Sequence, residues 1–182
     1  MSQKLSTKSI YERNQARIAP VGFENTKIWL HDIRSMHNVG SVFRSADAFG
    51  VSEIILSGYS PCPPRPEISK TALGADEFVK WSFHSEIVSV IKDLKSDGYL
   101  MVGLEQTSSS IPIHSIDITS TTKVCIIPGN EISGLDDALL PHIDVFVEIP
   151  QYGRKHSLNV SVALGVALYA LHDVYEKRDQ KG

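Results

Sequence analysis

The sequence has few of the features that mark specialised protein classes. Only two of its 182 residues are cysteines, Cys62 and Cys125, and their wide separation predicts neither a disulfide framework nor a CxxC metal site. No apolar run approaches the roughly 20 residues of a membrane-spanning helix. The first twenty residues have no apolar segment of the kind that a secretory signal needs. We therefore expect a soluble cytoplasmic domain with no membrane partner and no metal.

The chain also has no strong excess of charge, because 18 Lys and Arg stand against 21 Asp and Glu. The charge is nevertheless unevenly distributed. Residues 1–27 carry five Lys and Arg against two Glu, a net charge of +3, whereas residues 28–182 carry 13 against 19, a net charge of −6. We predict a basic N-terminal arm, residues 1–27, on an acidic domain, residues 28–182. A solvated helix with a frayed end is the simpler interpretation of the arm, and a nucleic-acid partner would need a local basic patch.

Short apolar runs alternate with segments of helical periodicity from residue 27 onwards. Strands separated by helices are typical of α/β proteins, so we predict a mainly parallel sheet with helices on both faces. Ligands of such sheets bind beyond the carboxyl ends of the strands. The predicted strands are Lys27–His31, Val51–Leu56, Phe78–Phe83, Tyr99–Leu104, Lys123–Ile127 and Val145–Ile149, and the predicted helices are Asn38–Phe49, Ser85–Lys95 and Ser157–Tyr175.

The familiar motifs of α/β enzymes are missing from the sequence. Without GxxxxGK[ST], a P-loop nucleotide hydrolase is excluded, and without GxGxxG after a strand, an oxidoreductase on a dinucleotide-binding sheet is disfavoured. Neither a GxSxG elbow nor an HExxH zinc motif occurs. His31 and His37 are interpreted as surface or hydrogen-bonded residues rather than as metal ligands.

The first cluster of candidate residues lies at the start of the first predicted helix. Asn38 has the side-chain oxygen of a helix N-cap. Arg44 follows six residues later, next to apolar Phe43. The simpler interpretation of Arg44 is an ordinary surface ion pair, and a buried ion pair with Asp47 at i+3 is a further alternative.

The second and third clusters follow the last two predicted strands. Gly129, Asn130 and Glu131 form either a tight turn or a ligand-facing loop, because glycine allows close approach of the backbone and Glu131 adds a carboxylate. Ser157 is a candidate cap for the last helix. Asn159 is unfavourable in a first helical turn, which indicates a polar role there.

Together, the segments NVGSVFRSADAFG, GNEISGL and IPQYGRKHSLNVSVA closely resemble the three motifs of the SpoU/TrmH branch of the SPOUT RNA methyltransferases. The resemblance extends from about Ile28 to Tyr169 and includes KTALGA and YLMVGLEQT between the motifs. It implies methyl transfer from S-adenosyl-L-methionine to a ribose 2′-hydroxyl of tRNA or rRNA. It also implies a C-terminal trefoil knot and a homodimer with active sites at the interface.

The resemblance also assigns roles to individual residues. Arg44 would act either as a base or as a group that binds phosphate and stabilises the oxyanion, and a guanidinium with a pKa above about 12 favours the second role. Glu131 would orient Arg44 or Asn159. The implied catalytic residues are Arg44, Asn38, Glu131, Ser157 and Asn159, and the implied cofactor-binding residues are Leu104, Gly129, Asn130, Ile149 and Leu158.

The sequence departs from the family in two places. The residues Ser35-Met36-His37 replace a proline-containing approach to the first motif, and 27 residues are too few for a separate N-terminal RNA-binding domain. This short form is more similar to members that modify tRNA; an rRNA methyltransferase or a non-catalytic RNA-binding module on the same fold is the alternative. The residues expected to contact RNA are Arg13, Arg17, Arg65, Lys70, Arg154 and Lys155.

Overall fold

The fold is built on a seven-stranded sheet in which all the paired strands run parallel. The structure is a computed structural model that describes residues 2–17 and 21–179, with side chains up to Lys177. The strand order is β3-β2-β1-β6-β4-β7-β5. The strands are β1 Thr26–His31, β2 Glu53–Ser57, β3 Trp81–His84, β4 Leu100–Leu104, β5 Ile111–Pro112, β6 Val124–Pro128 and β7 Val145–Glu148.

α-Helices connect β1 to β2, β2 to β3 and β3 to β4, which are three of the six connections between consecutive strands. Within the described ranges, no helix is long and apolar enough to cross a membrane. The helices are α1 Thr7–Gln15, α2 Met36–Phe49, α3 Pro66–Ala72, α4 Ala75–Phe78, α5 Ile87–Ser96 and α6 Val160–Asp179.

The hydrophobic core has two parts, one on each face of the sheet. Successive side chains of a strand point to opposite faces, so Ile28 and Leu30 pack in the larger cluster with residues of α2, α3 and α6. Trp29, between them, packs in the second cluster with residues of α5 such as Leu94. The prediction of a parallel sheet with helices on both faces is therefore confirmed.

Helix α2 begins two residues earlier than predicted. Its N-cap is Ser35, whose side-chain oxygen accepts a hydrogen bond from the backbone N–H of Asn38 at 3.3 Å. The prediction of Asn38 as the cap is therefore wrong, and its side chain is free for other contacts. A glycine directly after the last residue of helical periodicity predicts a helix end. Gly50 does end the helix, with a left-handed φ of 76° that glycine adopts without strain.

The prolines at positions 61, 63, 64 and 66 predict an extended loop after β2, because proline interrupts regular structure. Instead, Pro66 begins helix α3. Proline is compatible with the first position of a helix, because the N–H that it lacks would have no partner there and its fixed φ suits the helix. This unpredicted helix packs against α2 and carries Lys70.

A buried carboxylate connects three strands on one side of the sheet. The side chain of Glu53 lies 3.0 Å from Lys27 Nζ and 3.3 Å from Lys80 Nζ, and Ser82 Oγ donates to it at 3.0 Å. Burial raises the pKa of Glu53, but the hydrogen bonds from Lys27 and Ser82 and the two positive charges outweigh it, so this pKa lies below its ordinary value.

We expect Glu53→Gln to lower the free energy of unfolding at pH 7 by about 3 kcal/mol, because the mostly buried ammonium of Lys27 loses its counter-charge. The ionised carboxylate stabilises the fold above its unfolded pKa of about 4.3. This stabilisation is lost as the pH falls through the lower pKa of the folded protein, so the two proteins should converge in acid. Urea denaturation monitored by tryptophan fluorescence measures both effects.

The matched control is Lys80→Met. The Lys80 side chain is 72% exposed, so its loss should cost less than about 1 kcal/mol. Equal stability of Glu53→Gln and wild type at pH 7 would contradict the prediction.

Candidate active site

A cavity of about 310 Å³ lies at the carboxyl ends of β4, β6 and β7. Its walls come from these strand ends, the loop 151–159 and the first turns of α6. This is the edge at which a parallel sheet is expected to bind ligands. All five residues implied as cofactor contacts line the cavity: Leu104, Gly129, Asn130, Ile149 and Leu158.

Two hydrogen bonds join three segments that are distant in the sequence. The side-chain amide of Asn38 donates to Glu131 Oε1 at 2.8 Å, and the amide of Asn159 donates to Asn38 Oδ1 at 3.1 Å. Glu131 also accepts a bond from the backbone N–H of Arg34 at 3.3 Å. Glu131, Ser157 and Asn159 line the cavity. Asn38 links Glu131 to Asn159.

Asn159 has a second role, as the cap of helix α6. Its side-chain oxygen accepts from the backbone N–H groups of Ser161 at 3.0 Å and Val162 at 3.4 Å. Helix α6 begins at Val160, three residues later than predicted. The prediction that Ser157 caps this helix is therefore wrong. Because asparagine supplies both a cap acceptor and a donor, one side chain orders the helix start and contacts Asn38.

Arg44 lies apart from this network. It is exposed on α2 and lines a different cavity, of about 530 Å³, together with Lys70 and Thr71 of α3. Within the described parts of the chain, its guanidinium forms no hydrogen bond or ion pair, so the possible pair with Asp47 does not form. Glu131 was expected to orient either Arg44 or Asn159. It does not contact Arg44, and it is linked to Asn159 through the side chain of Asn38.

All the charged side chains that line the first cavity in the described parts of the chain are acidic. The charged residues that line it are Glu105, Glu131 and Glu148, and among the described residues no Lys or Arg does so. Carboxylates grouped around a partly enclosed cavity attract cations and disfavour anions. The cavity is therefore suited to a small molecule that carries positive charge.

The loop after β6 is held firmly against the ends of β1 and β2. The side-chain amide of Asn130 donates to Tyr59 Oη at 2.8 Å and also bonds to the carbonyl oxygen of Asp32. Its side-chain oxygen accepts from the backbone N–H of Ile132 at 2.8 Å. Asn130 is thus both a cavity residue and the centre of a rigid turn that places Glu131.

His31 and His37 lie in different environments, one buried and one exposed. His31 is buried, and its Nδ1 lies 2.8 Å from Ser57 Oγ, so the expected hydrogen bond is confirmed. Its Nε2 lies 3.6 Å from one carboxylate oxygen each of Asp32 and Asp136. These contacts connect the end of β1 to the loop that follows Leu135. His37 is exposed on α2.

Sequence reasoning missed several polar residues of the cavity, among them Glu105, Gln106, Glu148 and Gln151. A usable signal exists for Glu105, because a charged residue directly after a buried strand stands at the ligand-binding edge. Gln106 closes one side of the site, since its amide donates to the carbonyl of His156 at 2.7 Å and ties the end of β4 to the loop 151–159.

The residues expected to contact RNA are all exposed, but they do not form one cluster at the cavity. Arg154 and Lys155 belong to the loop that borders the first cavity, whereas Lys70 lines the second cavity with Arg44. Arg65 caps α3, and Arg13 lies in α1, a helix with no buried residue. Arg17 lies just beyond α1.

Residues 25–169 match the model of the SpoU rRNA Methylase family. The chain is 29% identical over 158 residues to a putative TrmH family tRNA/rRNA methyltransferase of Staphylococcus haemolyticus, which covers 87% of this chain and 61% of that relative. It is 28% identical over 169 residues to a tRNA (guanosine(18)-2′-O)-methyltransferase of Borreliella burgdorferi, covering 91% of this chain and 75% of that protein.

Solved structures give the same picture of the fold. An AdoMet-bound rRNA methyltransferase from Sinorhizobium meliloti superposes with a TM-score of 0.77 at 29% identity, covering 86% of this chain and 58% of that one. The TrmH/SpoU tRNA modifying enzyme of A. aeolicus has a TM-score of 0.76 at 22% identity, covering 93% and 86%, and supports the fold alone. Against the Staphylococcus relative, this chain spans only 61% of the length.

We expect Asn159→Ala to lower the free energy of unfolding by about 1 kcal/mol, because it removes the cap of α6. Ser157→Ala is the matched control, since Ser157 lies in the same loop and caps nothing. Its effect should stay within about 0.5 kcal/mol. Chemical denaturation followed by circular dichroism measures both, and equal losses in the two variants would refute the assignment of the cap to Asn159.

Proposed function

The chain belongs to the SpoU rRNA methylase family, and from that premise we propose that it transfers a methyl group from S-adenosylmethionine to a ribose 2′-hydroxyl of RNA. The observation that carries this proposal is the meeting of three distant segments at one cavity, through the contacts of Asn38, Glu131 and Asn159. A protein that only bound RNA would not need a cavity of this composition.

The cavity suits S-adenosylmethionine in size and in charge. Its volume of about 310 Å³ lies in the range of small-molecule sites. The strand ends at Leu104 and Ile149 offer backbone N–H and C=O groups for the polar edge of a base, while their side chains supply apolar surface. The surrounding carboxylates favour the positive charge of the sulfonium group. When bound, this group would supply an electrophilic methyl carbon.

The protein's own residues have to place a ribose hydroxyl, whose proton passes to water as the methyl group is transferred. A reacting oxygen must be brought close to the methyl carbon in line with the bond that breaks. We assign Asn38 and Asn159 to shaping this part of the site and Glu131 to holding Asn38 by its hydrogen bond. Ser157, on the cavity wall, completes the polar side.

We assign Arg44 to the RNA phosphate next to the reacting ribose and to the developing oxyanion. A guanidinium has five donors in a fixed geometry and stays protonated, which suits phosphate binding and does not suit a general base. Lys70 lines the same cavity as Arg44. Two cations at one groove favour a phosphodiester as its occupant.

The separation of Arg44 from the first cavity is explained if the protein acts as a homodimer. Helix α6 exposes an apolar stripe, with Val162 51%, Val166 42% and Tyr169 67% exposed. Their spacing of four and three residues places them on one helical face, and Leu158 before the helix is 40% exposed. We propose that a second copy covers this stripe and that the partner subunit's Arg44 completes the cavity.

We propose tRNA as the RNA substrate. The Borreliella relative, which acts on a tRNA guanosine according to its name, aligns with 91% of this chain. The basic residues of the arm, Arg13 and Arg17, and those of the cavity rim, Arg154 and Lys155, are exposed and can track the phosphate backbone. The C-terminal trefoil knot is implied by the fold that this family shares.

The proposed reaction is tested with S-adenosylmethionine labelled in its methyl group and with separate tRNA and rRNA fractions from cells that lack the gene. We expect label in tRNA, at a linkage that resists alkali, because a methylated 2′-oxygen cannot attack the adjacent phosphate. DNA of the same sequence is the control, since it has no 2′-hydroxyl. Label in a base would refute the reaction, label in rRNA would refute the substrate, and RNA binding without transfer would indicate a non-catalytic module.

The role of Arg44 in the partner's site is tested by mixing two variants. Arg44→Ala and Glu131→Ala should each lose nearly all activity. In their heterodimers one of the two sites keeps both wild-type residues, so an equilibrated equal mixture should regain about one quarter of the wild-type rate.

The control for this experiment is the double variant Arg44→Ala/Glu131→Ala mixed with either single variant, which leaves no complete site. A mixture of the single variants that stays inactive while forming heterodimers would contradict the shared site. Near-normal turnover of Arg44→Ala alone would refute any role of Arg44.

A further inference from the structure

The carboxylate of Glu105 lies on the wall of the first cavity, and only one of its two oxygens accepts a hydrogen bond from the described part of the chain. Glu105 directly follows β4. Its Oε1 accepts a hydrogen bond from the backbone N–H of Gln106 at 2.9 Å. Among the residues that the structure describes, none donates a hydrogen bond to Oε2. One oxygen therefore orients the side chain, and the other remains an available acceptor.

Glu105 Oε2 occupies space that is open only because residues 129 and 134 are glycines. A Cβ on Gly129 would overlap Glu105 Oε2, and a Cβ on Gly134 would lie 2.7 Å from the same atom. The turn between them is closed by the hydrogen bond from Asn130 N–H to the carbonyl of Gly134 at 2.8 Å. Oε2 is thus held against Gly129, at the junction of the β4 end with the turn after β6.

We propose that Glu105 is a cofactor-binding residue whose Oε2 accepts a hydrogen bond from a hydroxyl or ammonium group of S-adenosylmethionine. The inference rests on the proposed function and adds a residue to its cofactor site. An ionised carboxylate is purely an acceptor, and hydrogen bonds to it are stronger than those between neutral groups. Acidic side chains near a strand end bind ribose hydroxyls in other α/β nucleotide sites by the same chemistry.

The position of Glu105 distinguishes it from the other carboxylates of the cavity. Both oxygens of Glu131 are engaged, by the side chain of Asn38 and by a backbone N–H. Glu148 Oε2 accepts from Ser110 Oγ at 2.6 Å, which turns this carboxylate towards the loop before β5. Glu148 is therefore a charge-matched control, because its replacement removes the same charge from the same cavity.

The test is isothermal titration of the full chain with S-adenosylmethionine, comparing wild type with Glu105→Gln, Glu105→Ala and Glu148→Gln. We expect Kd to rise about tenfold or more in both Glu105 variants, as is usual for the loss of a hydrogen bond to a charged group. Glu148→Gln should raise it by less than about threefold. Circular dichroism and thermal unfolding establish that each variant is folded, and Glu105→Gln keeps the shape of the side chain.

A second ligand identifies the donor group. 5′-Methylthioadenosine keeps the ribose hydroxyls and has no ammonium group. If Glu105→Gln weakens its binding as strongly as that of S-adenosylmethionine, a ribose hydroxyl is the donor. If its binding is unchanged while that of both S-adenosylmethionine and S-adenosylhomocysteine falls, the ammonium group is the donor, because S-adenosylhomocysteine keeps the ammonium group and has no sulfonium charge. Each of these two results supports the proposal, whereas a loss for S-adenosylmethionine alone would show an effect of the sulfonium charge and would contradict it.

Two results would overturn it. Unchanged affinity in folded Glu105 variants would show that Oε2 accepts nothing from the cofactor. Equal losses in Glu105→Gln and Glu148→Gln would show that only the overall charge of the cavity matters. If the wild-type protein did not bind S-adenosylmethionine at all, the proposed function itself would fail, and this outcome is distinct from the other two.

Discussion

The site depends on one short chain of hydrogen bonds, from Glu131 through Asn38 to Asn159. It joins the loop after β6 to the first turn of α2 and to the start of α6, so the three segments cannot move independently without breaking a bond. Glu131 and Asn159 are each held by further backbone bonds. Because every member is fixed by a second contact, the cavity wall is ordered before any ligand arrives, which lowers the cost of binding.

The parallel sheet makes this convergence possible. Neighbouring parallel strands end at the same edge, so β4, β6 and β7 deliver Leu104, Pro128 and Glu148 side by side although the chain between them is long. Two hydrophobic clusters, one on each face, hold the sheet in place. The site therefore takes its rigidity from the core and its chemistry from the loops, the division expected of an α/β protein.

Charge is divided between two places on the molecule. The cavity at the strand ends is lined by three glutamates, whereas the groove between α2 and α3 carries Arg44 and Lys70. A sulfonium cofactor and an RNA phosphate have opposite charges, and the two surfaces are complementary to the ligands that we propose for them. Within one chain the two surfaces are separate, and the exposed apolar stripe of α6 between Leu158 and Tyr169 is the physical reason to expect a second copy.

The local pattern of apolar and polar residues determined the secondary structure of much of this protein. The alternation of apolar strands with helical periodicity predicted the sheet and its helices, and Gly50 predicted the end of α2. The resemblance of three motifs to the SpoU/TrmH family grouped Asn38, Glu131 and Asn159, which meet at the cavity, with Arg44, which does not. Residue type alone did not determine where α2 and α6 begin. Serine and asparagine are equally good caps, and each helix has one of each near its start, Ser35 and Asn38 for α2 and Ser157 and Asn159 for α6. Only the tertiary structure decided which of them capped a helix and which contacted another segment. It also decided that Arg44 faces a separate groove and that Glu105 Oε2 lies against Gly129, since pairings between distant residues depend on how the elements pack and leave no periodic signal in the sequence.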